Sequence, residues 1–300
     1  MGGSYYNGRI SKIYENNNGD FIESGIFIEG VFEGSADWGD YDNDGDLDLL
    51  VTGQNNQDQI ILNIYENKLN IGLGFVKKVN NGIEGIKRGN AEWGDYDNDG
   101  DLDLLLMGNT GSAIIFKIYE NENNNFFEVS NTGLLGAFWG KNGWADYDND
   151  GDLDVLISGN IFSIGHGLII YENTLNNPNL LPTAPINLQQ NINGNEITFS
   201  WDPVTGDETP SAGLTYNLMV GTNLGEIDIE SPMSNTGSGW RKIVEMGSQN
   251  HNTEWIIKNV ANPSSVEWCV QAIDTAFAGG AWGCYKKPSN TQSPPNGNTA

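Results

Sequence analysis

Two cysteines, two histidines and only fourteen lysines and arginines occur in a chain of 300 residues. The shortage of positive charge excludes the most. No basic stripe can follow a phosphate backbone, so nucleic acid is not expected as a partner. An anionic membrane surface is disfavoured for the same reason. No apolar run reaches the length of a membrane span, and the opening stretch MGGSYYNGRI is Gly- and Tyr-rich rather than basic then apolar. Helical periodicity of useful length is absent. So are G-x-S-x-G, H-E-x-x-H and any phosphate-cradling loop. His166 and His251 lie in different segments without motif context, and each is expected to be an ordinary polar surface residue.

What is present is acid, and it is concentrated. The length is a prior for two domains, and 38% hydrophobic against 18% charged residues is not the composition of a disordered polyelectrolyte. Of the forty acidic residues behind the net charge of −26, fifteen fall in three stretches: WGDYDNDGDLDLL at 38–50, the same letters at 93–105, and WADYDNDGDLDVL at 144–156. A second marker, IYEN, recurs with Tyr14, Tyr65, Tyr119 and Tyr171 spaced 51, 54 and 52 residues apart. The acidic stretches start at Asp40, Asp95 and Asp146, 55 and 51 apart. Two markers with one period define a tandem repeat.

Within a repeat the pattern is all β. SADWGDYD enters the acidic stretch, LDLLVTG leaves it toward a Gly stop, IILNIYEN alternates, and GFVKKV adds a shorter fourth strand. Four short antiparallel strands in about 50 residues suit one blade of a β-propeller. The repeat region runs over 1–173. A linker with three prolines follows at 174–185, then alternating strands at 183–287 that suggest a β-sandwich of about 100 residues. The Pro-, Asn- and Ser-rich tail, 288–300, is expected to be disordered. The chain opens inside a blade and holds three acidic loops, whereas closed propellers use about four to eight blades. Either blades precede this sequence, which is the favoured expectation, or neighbouring chains supply them through self-association.

In the first loop Asp40, Asp42, Asp44 and Asp48 take positions 1, 3, 5 and 9, and Gly45 takes position 6, where a sharp turn needs a residue without Cβ. Alternate side chains and the Asp46 carbonyl at position 7 can then converge. Four carboxylates within about 4 Å make six pairs, each repelling by about 1 kcal/mol even in bulk water. A divalent cation reverses that sign. All-oxygen donors exclude a zinc preference and suit calcium's six to eight ligands better than magnesium's octahedron. Position 12 is Val51, Leu106 or Ile157, not the Glu of an EF-hand. The alternative is a plain Asp/Asn/Gly turn, which needs one or two such residues rather than five acids repeated at fixed spacing.

DYDNDGDLD resembles the FG-GAP/VCBS repeat, the calcium-binding blade of integrin-α-like propellers, and the resemblance covers residues 8–173. It implies one structural calcium per loop, three ions in all. The implied ligands are Asp40, Asp42, Asp44, Asp48 and the Asp46 carbonyl; Asp95, Asp97, Asp99, Asp103 and the Asp101 carbonyl; and Asp146, Asp148, Asp150, Asp154 and the Asp152 carbonyl. Residues 183–287 resemble a fibronectin type III module of immunoglobulin-like architecture, with Trp201 as core tryptophan and VEWCVQAIDTAFAGGAWG as closing hairpin. Val266, Trp268, Val270 and Ala272 then face inward and Cys269 the other way. Cys284 lies across the hairpin from Cys269, as a disulfide partner or as a second free thiol. Calcium at millimolar levels and a disulfide both point outside the cytoplasm.

The expected function is a secreted or cell-surface, calcium-stabilised binding or adhesion scaffold for an extracellular protein or glycan. Alternatives are a lectin, a propeller lyase or hydrolase acting on polysaccharide, and a self-assembling repeat protein. The enzyme reading lacks a nominated residue, because the clustered acids are already assigned to metal. Trp93, Trp139 and Trp144 could stack on sugar rings, although Trp93 and Trp144, next to the loops, read more simply as core.

Overall fold

Leu104, Leu105, Leu106 and Met107 are consecutive and all fully buried. Successive side chains of a strand point to opposite faces, so this strand must be covered on both sides. The architecture that does so is seen in a computed structural model, which describes residues 8–287 apart from 18, 79–81, 176, 224–225 and 242. The tail at 288–300 lies outside the described residues. No helix is long and apolar enough to cross a membrane among them, and their helical pieces are two single-turn 3-10 segments, Leu69–Ile71 and Pro263–Ser265.

The chain begins with a hairpin, β1 (Tyr14–Asn17) and β2 (Asp20–Glu23). The first full sheet follows, from β3 (Val31–Phe32), β4 (Ala36–Gly39), β5 (Asp48–Asn55), β6 (Ile60–Lys68) and β7 (Gly74–Lys77). Both β3 and β4 pair with β5, and β6 and β7 continue the antiparallel order. The second sheet is a four-stranded meander of β8 (Lys87–Gly94), β9 (Asp103–Asn109), β10 (Ile114–Glu122) and β11 (Asn125–Glu128). The third contains β12 (Ala137–Ala145), β13 (Asp154–Ile161) and β14 (Gly165–Tyr171). Among the described residues it has no fourth strand of the kind expected of every repeat: the Asn- and Pro-rich 174–185 offers no alternating apolar face to pair. The glycine expected to stop the second strand does not stop it either. Gly53 sits inside β5 at φ 140°, and its missing Cβ leaves room for Val31 and Gly34.

The middle sheet is sandwiched. Leu104 and Leu106 pack with Leu50, Leu62 and Ile64 of the first sheet, whereas Leu105 and Met107 pack with Trp144, Val155 and Ile157 of the third. On the third sheet's far face Leu156, Leu168 and Ile170 remain exposed. Neighbouring repeats are also keyed by a tryptophan and a glycine. A Cβ on Gly39 would lie 2.6 Å from Trp93 Cδ1, and one on Gly94 would lie 2.6 Å from Trp144 Cδ1 and Nε1. The first strands of the first two repeats therefore present a bare backbone to the indole of the repeat that follows. Trp93 and Trp144 are buried, as the core reading expects. Trp139 is 61% exposed, yet the Arg88 guanidinium lies 4.9 Å over its ring and Arg88 also pairs with Glu33 at 2.7 Å.

The second region holds β15 (Gln189–Asn193), β16 (Glu196–Ser200), β17 (Thr215–Gly221), β18 (Glu254–Ile257), β19 (Glu267–Ile273) and β20 (Gly283–Cys284). They form two three-stranded antiparallel sheets, ordered β15-β16-β18 and β17-β19-β20. Ile197 and Phe199 of one sheet share a buried cluster with Leu218, Val220, Trp268 and Val270 of the other. Val266, Trp268, Val270 and Ala272 all point into it, with Trp201. Cys269 and Cys284 face each other across β19 and β20 and are joined by a disulfide. It closes a loop of 15 residues, for which chain-entropy arguments give about 3 kcal/mol. Replacing both cysteines by serine is expected to cost this region about 2–4 kcal/mol in chemical denaturation; an unchanged midpoint would show that the covalent link is dispensable.

Candidate metal sites

The register places all three acidic loops alike. Gly39 pairs with Asp48, Gly94 with Asp103, and Ala145 with Asp154, so each loop joins the first strand of a sheet to its second. The turn contains two positive-φ residues separated by one aspartate. Asn43, Asn98 and Asn149 have φ of 55°, 56° and 66°, and Gly45, Gly100 and Gly151 have φ of 92°, 93° and 97°. Asn tolerates that region and Gly occupies it freely, which explains the D-x-D-N-D-G spelling.

The position-1 aspartate organises its own loop. Asp40 Oδ1 accepts from the Asp44 amide (3.0 Å) and Oδ2 from the Gly45 amide (2.9 Å). Asp95 does the same with Asp99 and Gly100, at 3.1 and 3.0 Å, and Asp146 accepts from Asp150 at 3.2 Å. The position-9 aspartate ties the loop to the IYEN strand. Asp48, Asp103 and Asp154 each accept, at 2.8 Å, from the backbone amide of Asn67, Asn121 or Asn173. Those asparagines in turn donate from Nδ2 to the carbonyls of Leu47, Leu102 and Leu153. Asn121 and Asn173 also reach back to the Tyr41 and Tyr96 carbonyls of the preceding loop. The IYEN motif, conspicuous in the sequence only as a period marker, is thus the clasp that fixes each loop.

Carboxylate oxygens within 4.8 Å of one another gather as Asp40, Asp42 and Asp48; as Asp95, Asp97 and Asp99; and as Asp146, Asp148 and Asp154. Asp44, Asp103 and Asp150 stand outside these groups, and both oxygens of Asp103 are engaged by the Asn121 and Tyr96 amides. Several gathered oxygens, Asp42 Oδ1, Asp48 Oδ2 and Asp97 Oδ1, are buried without a hydrogen-bond partner. Such groups require compensation. Burial first, and then the neighbouring carboxylates, pushes Asp40 and Asp95 up to about 7, Asp48 to about 8 and Asp97 to about 6. Unpartnered hard oxygens that resist ionisation unless a cation joins them fit a divalent metal bound through oxygen.

Identical loops meet different surroundings. In the first, Lys68 Nζ stands 3.1 Å from Asp44 and 3.7 Å from Asp42. His251, from the second region, has Nε2 3.7 Å from Asp40 Oδ2. This corrects the expectation of a surface histidine: its side chain is 10% exposed, and Nδ1 lies 3.2 Å from the Leu214 carbonyl oxygen. The second loop lies under the second region. Thr275 Oγ1 donates to Asp95 Oδ2 at 2.7 Å, and Thr209 and Thr275 hydroxyls lie 2.8 Å apart. A Cβ on Gly100 would meet the Glu208 carbonyl oxygen at 2.2 Å. Around Gly151 of the third loop there is nothing within 4 Å. Lys68, Thr209, His251 and Thr275 carry no motif. Up to 180 residues separate them from the aspartates they touch, so no local pattern could nominate them.

Catalytic geometry outside the loops is sparse. Asp37 and Glu92 line a cavity of about 150 Å³ with Trp38, Trp93 and Trp144, but Asp37 accepts from the amides of Trp38 and Trp93, both at 3.0 Å. It therefore staples adjacent first strands.

No curated protein matches the chain. A family model does, that of the FG-GAP-like repeat, over residues 40–106 and again over 95–157. Each span starts at the first aspartate of one loop and runs past the next loop into the strand beyond it. The stretch that carries the three acidic loops therefore contains two FG-GAP-like repeats.

Proposed function

We propose that the chain is a calcium-stabilised binding scaffold that works outside the cytoplasm, at a cell surface or secreted. In this reading the three repeat sheets are blades of a partial β-propeller, and residues 183–287 are a fibronectin type III-like sandwich. Each loop holds one calcium through the Asp40, Asp95 and Asp146 sets. The observation that carries it is the gathering of carboxylates in all three loops, with buried oxygens in the first two groups that no protein group satisfies. Donor type supports calcium, since no nitrogen or sulfur belongs to any of the three groups. The disulfide supports an oxidising compartment.

Equilibrium dialysis at millimolar calcium is expected to retain three ions per chain. The triple variant D40N/D95N/D146N is expected to retain none. Retention of no calcium by the folded wild type would refute the reading.

A further inference from the structure

The third loop is the open one, and it opens into a cleft. A cavity of about 530 Å³ lies between it and the second region, with Asp146, Asp152 and Tyr147 on one wall and Trp240 and Arg241 on the other. That volume falls in the range that takes a small ligand of one or two rings rather than an extended chain. Asp152 Oδ1 is buried there without a partner.

Arg241 is the unexplained residue. It is 8% exposed, in a protein with few cations. Its Nη2 donates to the carbonyls of Glu245 and Met246, while Nε and Nη1 are buried with no acceptor. It makes no ion pair among the described residues; Asp274 and Glu245 act on it at longer range. A buried guanidinium is costly unless an anion pairs with it. Next to it, Trp240 keeps half of its surface exposed, an indole free to cover the face of a ring. Across the cleft stands Asp146, whose carboxylate gathers with those of Asp148 and Asp154; a cation held by the three would keep coordination positions to spare beyond what they supply.

We propose that this cleft binds an acidic saccharide, a uronate-type sugar whose carboxylate pairs with Arg241, whose ring lies on Trp240, and whose second anchor is the third-loop cation. The first two loops lack this capacity, being covered by His251 and by Thr275. The inference rests on the calcium-scaffold reading and gives it a ligand class and a place.

The test is calorimetric titration of the whole chain in millimolar calcium with a uronate disaccharide, the corresponding neutral disaccharide, and an oligo-aspartate peptide. The uronate is expected to bind, and the other two to bind at least tenfold more weakly. Trp240→Ala, on an exposed side chain, is expected to lose at least tenfold in affinity while still retaining three calcium ions by dialysis. Arg241→Gln is expected to lose as much, and Asp146→Asn to lose one calcium together with the sugar. Three calcium ions retained with no uronate binding would overturn the proposal and leave the scaffold reading standing. Equal binding of the neutral sugar, preference for the peptide, or undiminished binding by Trp240→Ala would overturn it as well. Uronate binding that survives chelation would remove the cation anchor.

Discussion

In millimolar calcium the chain is expected to melt on the order of 20 °C above its melting point in chelator. An ion at a hundredfold excess over its dissociation constant stabilises the folded form by about 2.7 kcal/mol, and there are three carboxylate groups. In a region of this size each kcal/mol moves the midpoint by roughly 2–4 °C. The pH dependence of the metal-free protein, and of the gap that calcium opens above it, gives a second signature. The folded-state values of Asp40, Asp95 and Asp48, about 7, 7 and 8, lie above the ordinary 3.8. A raised carboxyl binds more protons folded than unfolded. Its contribution is therefore complete below about pH 4 and disappears as pH rises through 6 to 8. Metal-free protein should accordingly be more stable at pH 5 than at pH 8.5. Calcium must displace those protons, so the gap between the calcium and chelator melting curves should widen over the same interval. Coincident curves at pH 8 would contradict both expectations.

The second large effect separates three glycines that the sequence makes equivalent. Gly45, Gly100 and Gly151 share the sixth loop position and φ values within a few degrees of one another. Alanine at any of them incurs left-handed strain of about 1–2 kcal/mol. At Gly151 that is the whole cost, and at Gly45 the nearest atom to a new Cβ would be the Ala212 carbonyl oxygen at an ordinary 3.7 Å. At Gly100 the Cβ would run into the Glu208 backbone, with carbon at 2.4 Å and oxygen at 2.2 Å. Backbone cannot swing aside as a side chain can, so Gly100→Ala is expected to lose about 3–5 kcal/mol. The expected result is a denaturation midpoint well below those of the other two variants, with faster proteolysis of 174–185 as the second region detaches. Equal losses at all three positions would show that the second region does not press on the second loop.

This asymmetry also marks where the sequence stops being legible. Much of what repeats could be read: the period, the loop spelling, the strands entering and leaving each loop, and Trp93 and Trp144 as core. Strand alternation placed Cys284 across a hairpin from Cys269 but left a disulfide and two free thiols both open, and the structure joins them. What could not be read is whatever one repeat does that its copies do not. The missing fourth strand of the third sheet, Lys68 beside Asp44, and His251 against Asp40 occur once each. Thr275 reaches Asp95 across 180 residues, through a contact between dissimilar regions that leaves no periodic trace. The IYEN asparagines are the intermediate case, visible as a marker but without a role until their side chains are seen to donate to the carbonyls around each loop.

Ala145 has a consequence for how such an array can lengthen. It stands where the first two copies have Gly39 and Gly94, whose bare backbones receive the indole of the following unit at a distance that leaves no room for a methyl group. A gene that extended itself by copying its last unit would place alanine under tryptophan at every new junction. Copying either of the first two would not. A unit stacked on the third in the same way would meet the methyl at 145 with its indole, so changing that alanine to glycine is the first step for anyone engineering a longer protein from these parts.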